Sequence, residues 1–158
     1  MVACTTIMMA TTPPSATTSK PTTSSNGSRK KRILVVDDER DITDSIRSAL
    51  KAHYWVDVGG NSSQALSSYR PGFYDLILLD YRMPSIDGFA FYQQIKRIDS
   101  KVKVCFITAY EELQTKITHL KWQNQMSSIF QDDTELPVLK KPFDTATLLA
   151  MTSRLLGD

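Results

Sequence analysis

Asp75-Leu-Ile-Leu-Leu-Asp-Tyr-Arg-Met-Pro84 decides how the rest of this chain is read. Its apolar core, Leu76 to Leu79, shows no polar alternation, which suits a strand of a parallel sheet covered on both faces. Asp80 ends that run, and Pro84 and Gly88 mark the loop behind it. Three further runs have the same character: Ile33-Leu-Val-Val36, followed by Asp37 and Asp38; Val104-Cys-Phe-Ile107, followed by Thr108; and the short Val138-Leu139, two positions before Lys141. Parallel sheets of this kind place their ligand sites at the carboxyl ends of the strands. Three carboxylates, a hydroxyl and an ammonium gathered there suit a hard cation and a phosphoryl group, because clustered carboxylates repel one another unless a cation neutralises them.

Between the strands the period changes to that of helices. Ile42, Ile46, Ala49 and Leu50 recur at helical spacing, with 38–41 as an acidic first turn. Trp55 to Val58 reads as a second strand, Gly59-Gly60 as a turn, and Asn61 as the cap of a short helix ended by Pro71-Gly72. A helix opens near Gly88 with Phe91, Tyr92, Ile95 and Ile98 largely on one side. Leu113, Ile117 and Leu120 predict another over 111–122. The polar stretch 123–136, with Met126, Ile129 and Phe130, is read either as a loop or as a short extra helix on the surface, outside the alternating set. Pro137 to Lys141 is the last strand, at an edge where proline is tolerated, and Asp144 caps the final helix. Five strands and five helices in strict alternation imply a right-handed doubly wound α/β sheet with helices on both faces.

Composition narrows the function classes. A chain of 158 residues predicts one globular domain. The net charge of +2 is too small to argue for nucleic acid, and the cluster Arg29-Lys-Lys-Arg32 is read as a solvated face flanking the first strand. Residues 1–30 are dominated by Thr, Ser and Pro with little to bury, so a disordered tail is expected before a folded domain at 31–158. No segment approaches bilayer length, and a signal peptide is not read at the start. The two cysteines, Cys4 and Cys105, make no disulfide framework, which fits a reducing, cytoplasmic setting. Cys105 reads as a small buried hydrophobe.

The segments Ile33 to Glu39, Asp75 to Pro84 with Asp87-Gly88, Ile107-Thr-Ala109 and Lys141-Pro-Phe143 resemble the receiver domain of two-component response regulators. The resemblance covers everything but the tail, and it implies a flavodoxin-like sheet of strand order 2-1-3-4-5. It further implies a phosphoacceptor at Asp80 and Mg²⁺ held by Asp38 and Asp80 directly, by Asp37 mainly through water, and by the backbone carbonyl of Arg82. Lys141 would pair with the phosphoryl group, Lys141-Pro142 would be cis, and Thr108 would be the switch that moves toward the phosphoaspartate. The implied protein is a non-enzyme signalling switch of weak enzymatic character, with self-catalysed phosphorylation and dephosphorylation. A histidine kinase would supply the phosphoryl group, and a downstream protein or a phosphotransfer protein would read the result. With the chain ending directly after the last helix, a stand-alone receiver similar to the chemotaxis regulators is expected, without membrane insertion or a nucleic-acid partner.

The chain departs from the family at the output end. Val138 stands three positions before Lys141, where many receivers carry an aromatic residue, and 32 residues separate Thr108 from Lys141, more than the family's customary spacing. The alternative reading is a phosphorylation-independent interaction module built on 123–139, against which the complete acceptor set argues. A phosphatase of the haloacid dehalogenase type would need a second Asp two positions after its nucleophile, where Arg82 follows Asp80 and Glu39 follows Asp37. Arg82 and Tyr110, bulky and two positions beyond Asp80 and Thr108, are read as restricting the hydrolytic water. Tyr110→Ala is therefore expected to shorten the phosphorylated lifetime; an unchanged hydrolysis rate of purified phosphoprotein rejects that reading.

Overall fold

The computed structural model describes residues 29–109 and 136–157. Five strands, β1 (Arg32–Val36), β2 (Trp55–Gly59), β3 (Leu76–Asp80), β4 (Lys103–Ala109) and β5 (Val138–Lys141), are joined by parallel pairing into one sheet of order β2-β1-β3-β4-β5. Four helices accompany them among the described residues: α1 (Arg40–Leu50), α2 (Ser62–Ser67), α3 (Gly88–Ile98) and α4 (Thr145–Leu156). The tail, the helix expected over 111–122, Tyr110 and the segment up to 135 lie outside the described residues.

The apolar runs bury alternate residues on opposite faces, which is why they lack polar alternation. Ile33, Val35, Leu76, Leu78, Cys105 and Ile107 pack beneath α1 and α4 with Ile46, Leu50 and Leu148. Leu34, Val36, Ile77, Leu79, Val104 and Phe106 pack beneath α2 and α3 with Ala65, Phe91, Tyr92 and Ile95. All five residues of β3 are buried, as the central strand of a doubly covered sheet requires. Burial also accounts for Cys105, whose thiol is pushed up to about 12 and so stays protonated.

Local capping sets the helix starts. Asn61, Asp87 and Asp144 each accept a hydrogen bond from the amide three residues on, at 3.0, 2.8 and 2.7 Å, and each precedes the first turn of its helix. Four sequence expectations need correction. The helix after β1 begins at Arg40 with Glu39 at its cap position, so Asp38 lies ahead of the first turn instead of within it, and the turn's acidic residue is Asp41 alone. β2 runs through Gly59, and α2 ends at Ser67, well before Pro71, because its cap amides already close on Gln64 and Leu66. The basic cluster is more than a solvated face. Arg29 pairs with Asp75 at 2.9 Å, Arg32 with Asp57 at 3.0 Å, and Lys30 donates to the Lys51 carbonyl while lying 4.9 Å from the ring centre of Trp55. These contacts tie the start of the domain to the amino end of the sheet. No helix among the described residues is long and apolar enough to cross a membrane.

One close approach fixes the loop behind β3. The Gly88 amide donates to the Tyr81 carbonyl at 2.9 Å, and a Cβ on Gly88 would sit 2.3 Å from the Asp80 carbonyl oxygen and 2.9 Å from the Tyr81 Cα. Backbone cannot yield as a flexible side chain can. Gly88→Ala is expected to lower stability by about 1–3 kcal/mol through forced displacement of α3, read as a drop in thermal midpoint against wild type.

Candidate functional site

The carboxyl ends of β1, β3 and β5 converge on one ammonium. Lys141, the last residue of β5, lies 2.9 Å from Oδ2 of Asp37, 3.0 Å from Oδ1 of Asp80 and 3.2 Å from Oε1 of Glu39. Since β4 lies between β3 and β5, this reach spans two inter-strand steps, roughly 10 Å at the usual spacing. Only a long side chain on β5 can bridge that gap to a short one on β3. The Lys141-Pro142 peptide beneath it is cis, as the resemblance implies.

Backbone amides complete the acidic groups. The Glu39 amide donates to Asp37 Oδ1 at 2.8 Å, and the Arg82 amide donates to Asp80 Oδ2 at 3.0 Å. Each buried carboxylate thus has one oxygen on an amide and the other on Lys141, which fixes its orientation. The resemblance assigns Arg82 a carbonyl contact to metal; its amide, on the loop behind β3, donates to Asp80. Asp38 is exposed, yet Asp37, Asp38 and Asp80 each offer a carboxylate oxygen and these lie within 4.8 Å of one another. Thr108 is buried at the end of β4, between the strands that carry Asp80 and Lys141, with its hydroxyl 3.4 Å from the Ala109 carbonyl. Val138 is half-buried, pairs in register with Phe106 and packs against the α2/α3 layer.

The electrostatics are those of a site short of positive charge. Burial is the largest influence on Asp80 and raises it; the hydrogen bond from Lys141 opposes, the charge of Asp37 adds to the rise, and the net position is about 6. Burial alone would depress Lys141, but its hydrogen bonds to Asp37 and Asp80 outweigh that and hold it above the ordinary ammonium range. Lys141 is therefore charged at neutral pH and only partly compensates its carboxylates. The three clustered aspartates are hard oxygen donors with charge to spare, a set that fits a divalent cation of the Mg²⁺ or Ca²⁺ kind.

The structure brings together Asp37, Asp38, Asp80 and Lys141, sets Thr108 at the neighbouring strand end, and leaves Tyr110 outside the described residues. The sequence reading missed Glu39. Its contact with Lys141 crosses 102 positions, which no local pattern reveals. The available signal was its position, a glutamate where a helix cap favours Asn, Asp, Ser or Thr.

A model of the response regulator receiver domain matches residues 33–153. Transcriptional regulatory protein ZraR of Escherichia coli strain K12 is 35% identical over 68 residues, covering 43% of this chain and 15% of ZraR. Transcriptional regulatory protein DltR of Streptococcus agalactiae is 29% identical over 115 residues, 72% of this chain and 46% of DltR. The chain thus spans less than half the length of either relative. Chemotaxis protein CheY4 of Vibrio cholerae superposes with a TM-score of 0.66 at 21% identity, covering 81% of this chain and 100% of that one, a likeness of fold.

The raised position of Asp80 has a stability consequence. A carboxyl whose folded pKa lies above its unfolded one favours the fold most at low pH, and that contribution is lost as pH rises from about 4 through about 6. In chelator at pH 7.5, Asp80→Asn is expected to be more stable than wild type, by about 1–3 kcal/mol in denaturant unfolding, with the gap closing toward pH 4. A gap that stays constant with pH contradicts this.

Proposed function

Because this chain belongs to the response regulator receiver family, we propose that it is a phosphoacceptor switch of a two-component system, with the receiver domain at 31–158 behind an appended tail. The observation that carries the proposal is the Lys141 ammonium between two buried carboxylates, 3.0 Å from Asp80. A carboxylate so paired and held by an amide presents one oriented acceptor oxygen at the mouth of the sheet, with a cation beside it.

In this reading an Asp80 oxygen attacks the phosphorus of a histidine kinase's phosphohistidine. An O–P bond forms, the P–N bond breaks, and the electron pair leaves with the imidazole nitrogen. Lys141 donates to the phosphoryl oxygens as negative charge gathers there, and the Thr108 hydroxyl supplies a second donor as it turns inward. Water later attacks the phosphorus and restores the Asp80 carboxylate with release of phosphate. Mg²⁺ would be held by Asp37, Asp38 and Asp80, with the Arg82 carbonyl as a further oxygen, and when bound it neutralises charge on the transferred group.

The readout is by protein contacts. Phosphorylation would bias the chain after β4 and the β5 region, including Tyr110 and Val138, between two arrangements that a downstream protein or phosphotransfer protein distinguishes. ZraR and DltR are transcriptional regulatory proteins, but the match covers only part of each, so the proposal is confined to the matched domain. A cytoplasmic setting fits this role.

Incubation with Mg²⁺ and acetyl phosphate tests the chemistry directly. Intact-mass measurement is expected to show a gain of one phosphoryl group, abolished by Asp80→Ala or by chelator and slowed at least about tenfold by Lys141→Ala. A wild-type mass that does not change rejects the proposal.

A further inference from the structure

Glu39 occupies the cap position of α1 but makes no side-chain cap hydrogen bond. At Asn61, Asp87 and Asp144 the equivalent side chain turns back onto its own helix amides. Glu39 instead points across the crevice, placing Oε1 3.2 Å from the Lys141 ammonium. Its carboxylate is well exposed, whereas those of Asp37 and Asp80 are buried beneath the same ammonium. A side chain poorly suited to capping thus reaches instead to a contact on the far side of the sheet.

We infer that Glu39 is a positioning residue for Lys141, holding the ammonium over the crevice when a divalent cation claims the buried carboxylates. This rests on the phosphoacceptor reading above and deepens it. An ammonium carries three donors, and here each faces one carboxylate. A cation bound by Asp37 and Asp80 draws on the oxygens that hold Lys141 and repels the ammonium itself, so two of its three tethers weaken together. Glu39, outside the three clustered aspartates, keeps its tether. The lysine then stays aimed at the place where a phosphoryl group arrives instead of swinging into solvent. The Glu39 charge also adds to the field that draws the cation in.

The test compares wild type with Glu39→Gln, an isosteric change at a side chain that caps nothing, using the full chain. Acetylation of Lys141 by acetic anhydride, followed by mass spectrometry with and without saturating Mg²⁺, reads how firmly the ammonium is held. Mg²⁺ titration by calorimetry reads the cation site. The wild type is expected to keep Lys141 protected when Mg²⁺ is added. Glu39→Gln is expected to expose it at least threefold under Mg²⁺ only, and to bind Mg²⁺ more weakly, by on the order of fivefold from the loss of one charge a few ångströms outside the site. Glu39→Asp, which keeps the charge on a shorter arm, should restore most of the Mg²⁺ affinity but not the protection of Lys141. Equal Lys141 labelling in wild type and Glu39→Gln overturns the inference while leaving the phosphoacceptor reading intact. Failure of the wild type to bind Mg²⁺ overturns the underlying reading, and this inference with it.

Discussion

Two buried carboxylates share one ammonium in this fold, and the arrangement of the strand ends follows from that sharing. Taking Asp37 and Asp80 out of water is costly unless each finds a cation and a donor, and removing the cation would leave both charges uncompensated. Lys141 and the amides of Glu39 and Arg82 supply those partners. β5 must therefore end close enough for the lysine to cross the end of β4, and the register that pairs Ala109 with Lys141 sets it there. The loop behind β3 must turn tightly enough to present the Arg82 amide to Asp80, and the approach of Gly88 to the Asp80 carbonyl lets it do so.

The remainder of the sheet serves as a rigid mount. Strands filled with aliphatic side chains on both faces have little freedom to shift register, because a slip of one residue would exchange the two packed layers. Helix starts are fixed independently by Asn61, Asp87 and Asp144. Rigidity along the strands fixes where their charged carboxyl ends stand relative to one another.

Most of this was legible because the local signals were strong and agreed. Unbroken apolar runs at β1, β3 and β4 mark buried parallel strands, and capping residues mark three of the four described helix starts. The acidic and basic residues of the candidate site stand directly at the strand ends, so finding the strands brought them together. What escaped was non-local. Glu39 and Lys141 meet only once the sheet is assembled, and the pairing of Arg29 with Asp75 and of Arg32 with Asp57 depends on β1 lying between β2 and β3. A basic run followed by a hydrophobic strand reads as a solvated flank until its acidic partners are known to lie alongside. Element ends slipped for a related reason: Gly59 extends β2 because β1 offers it a partner at Val36, while isolated sequence shows only a glycine pair.

Charge counting connects the metal and phosphoryl halves of the proposed chemistry. Asp37, Glu39 and Asp80 face Lys141 and Asp38 lies clustered beside two of them, so the crevice is negative whenever Asp80 is ionised; burial first, and then the charge of Asp37, raise the Asp80 pKa to about 6. A divalent cation offsets most of that excess, whereas a phosphoryl group on Asp80 replaces one negative charge by nearly two. Each event therefore favours the other: the cation makes room for the phosphoryl charge, and the phosphoryl charge tightens the cation. By linkage the two affinities rise by the same factor. In the proposed switch Lys141, which faces Asp37, Glu39 and Asp80 together, is the side chain that would carry this coupling from the cation to the phosphoryl group.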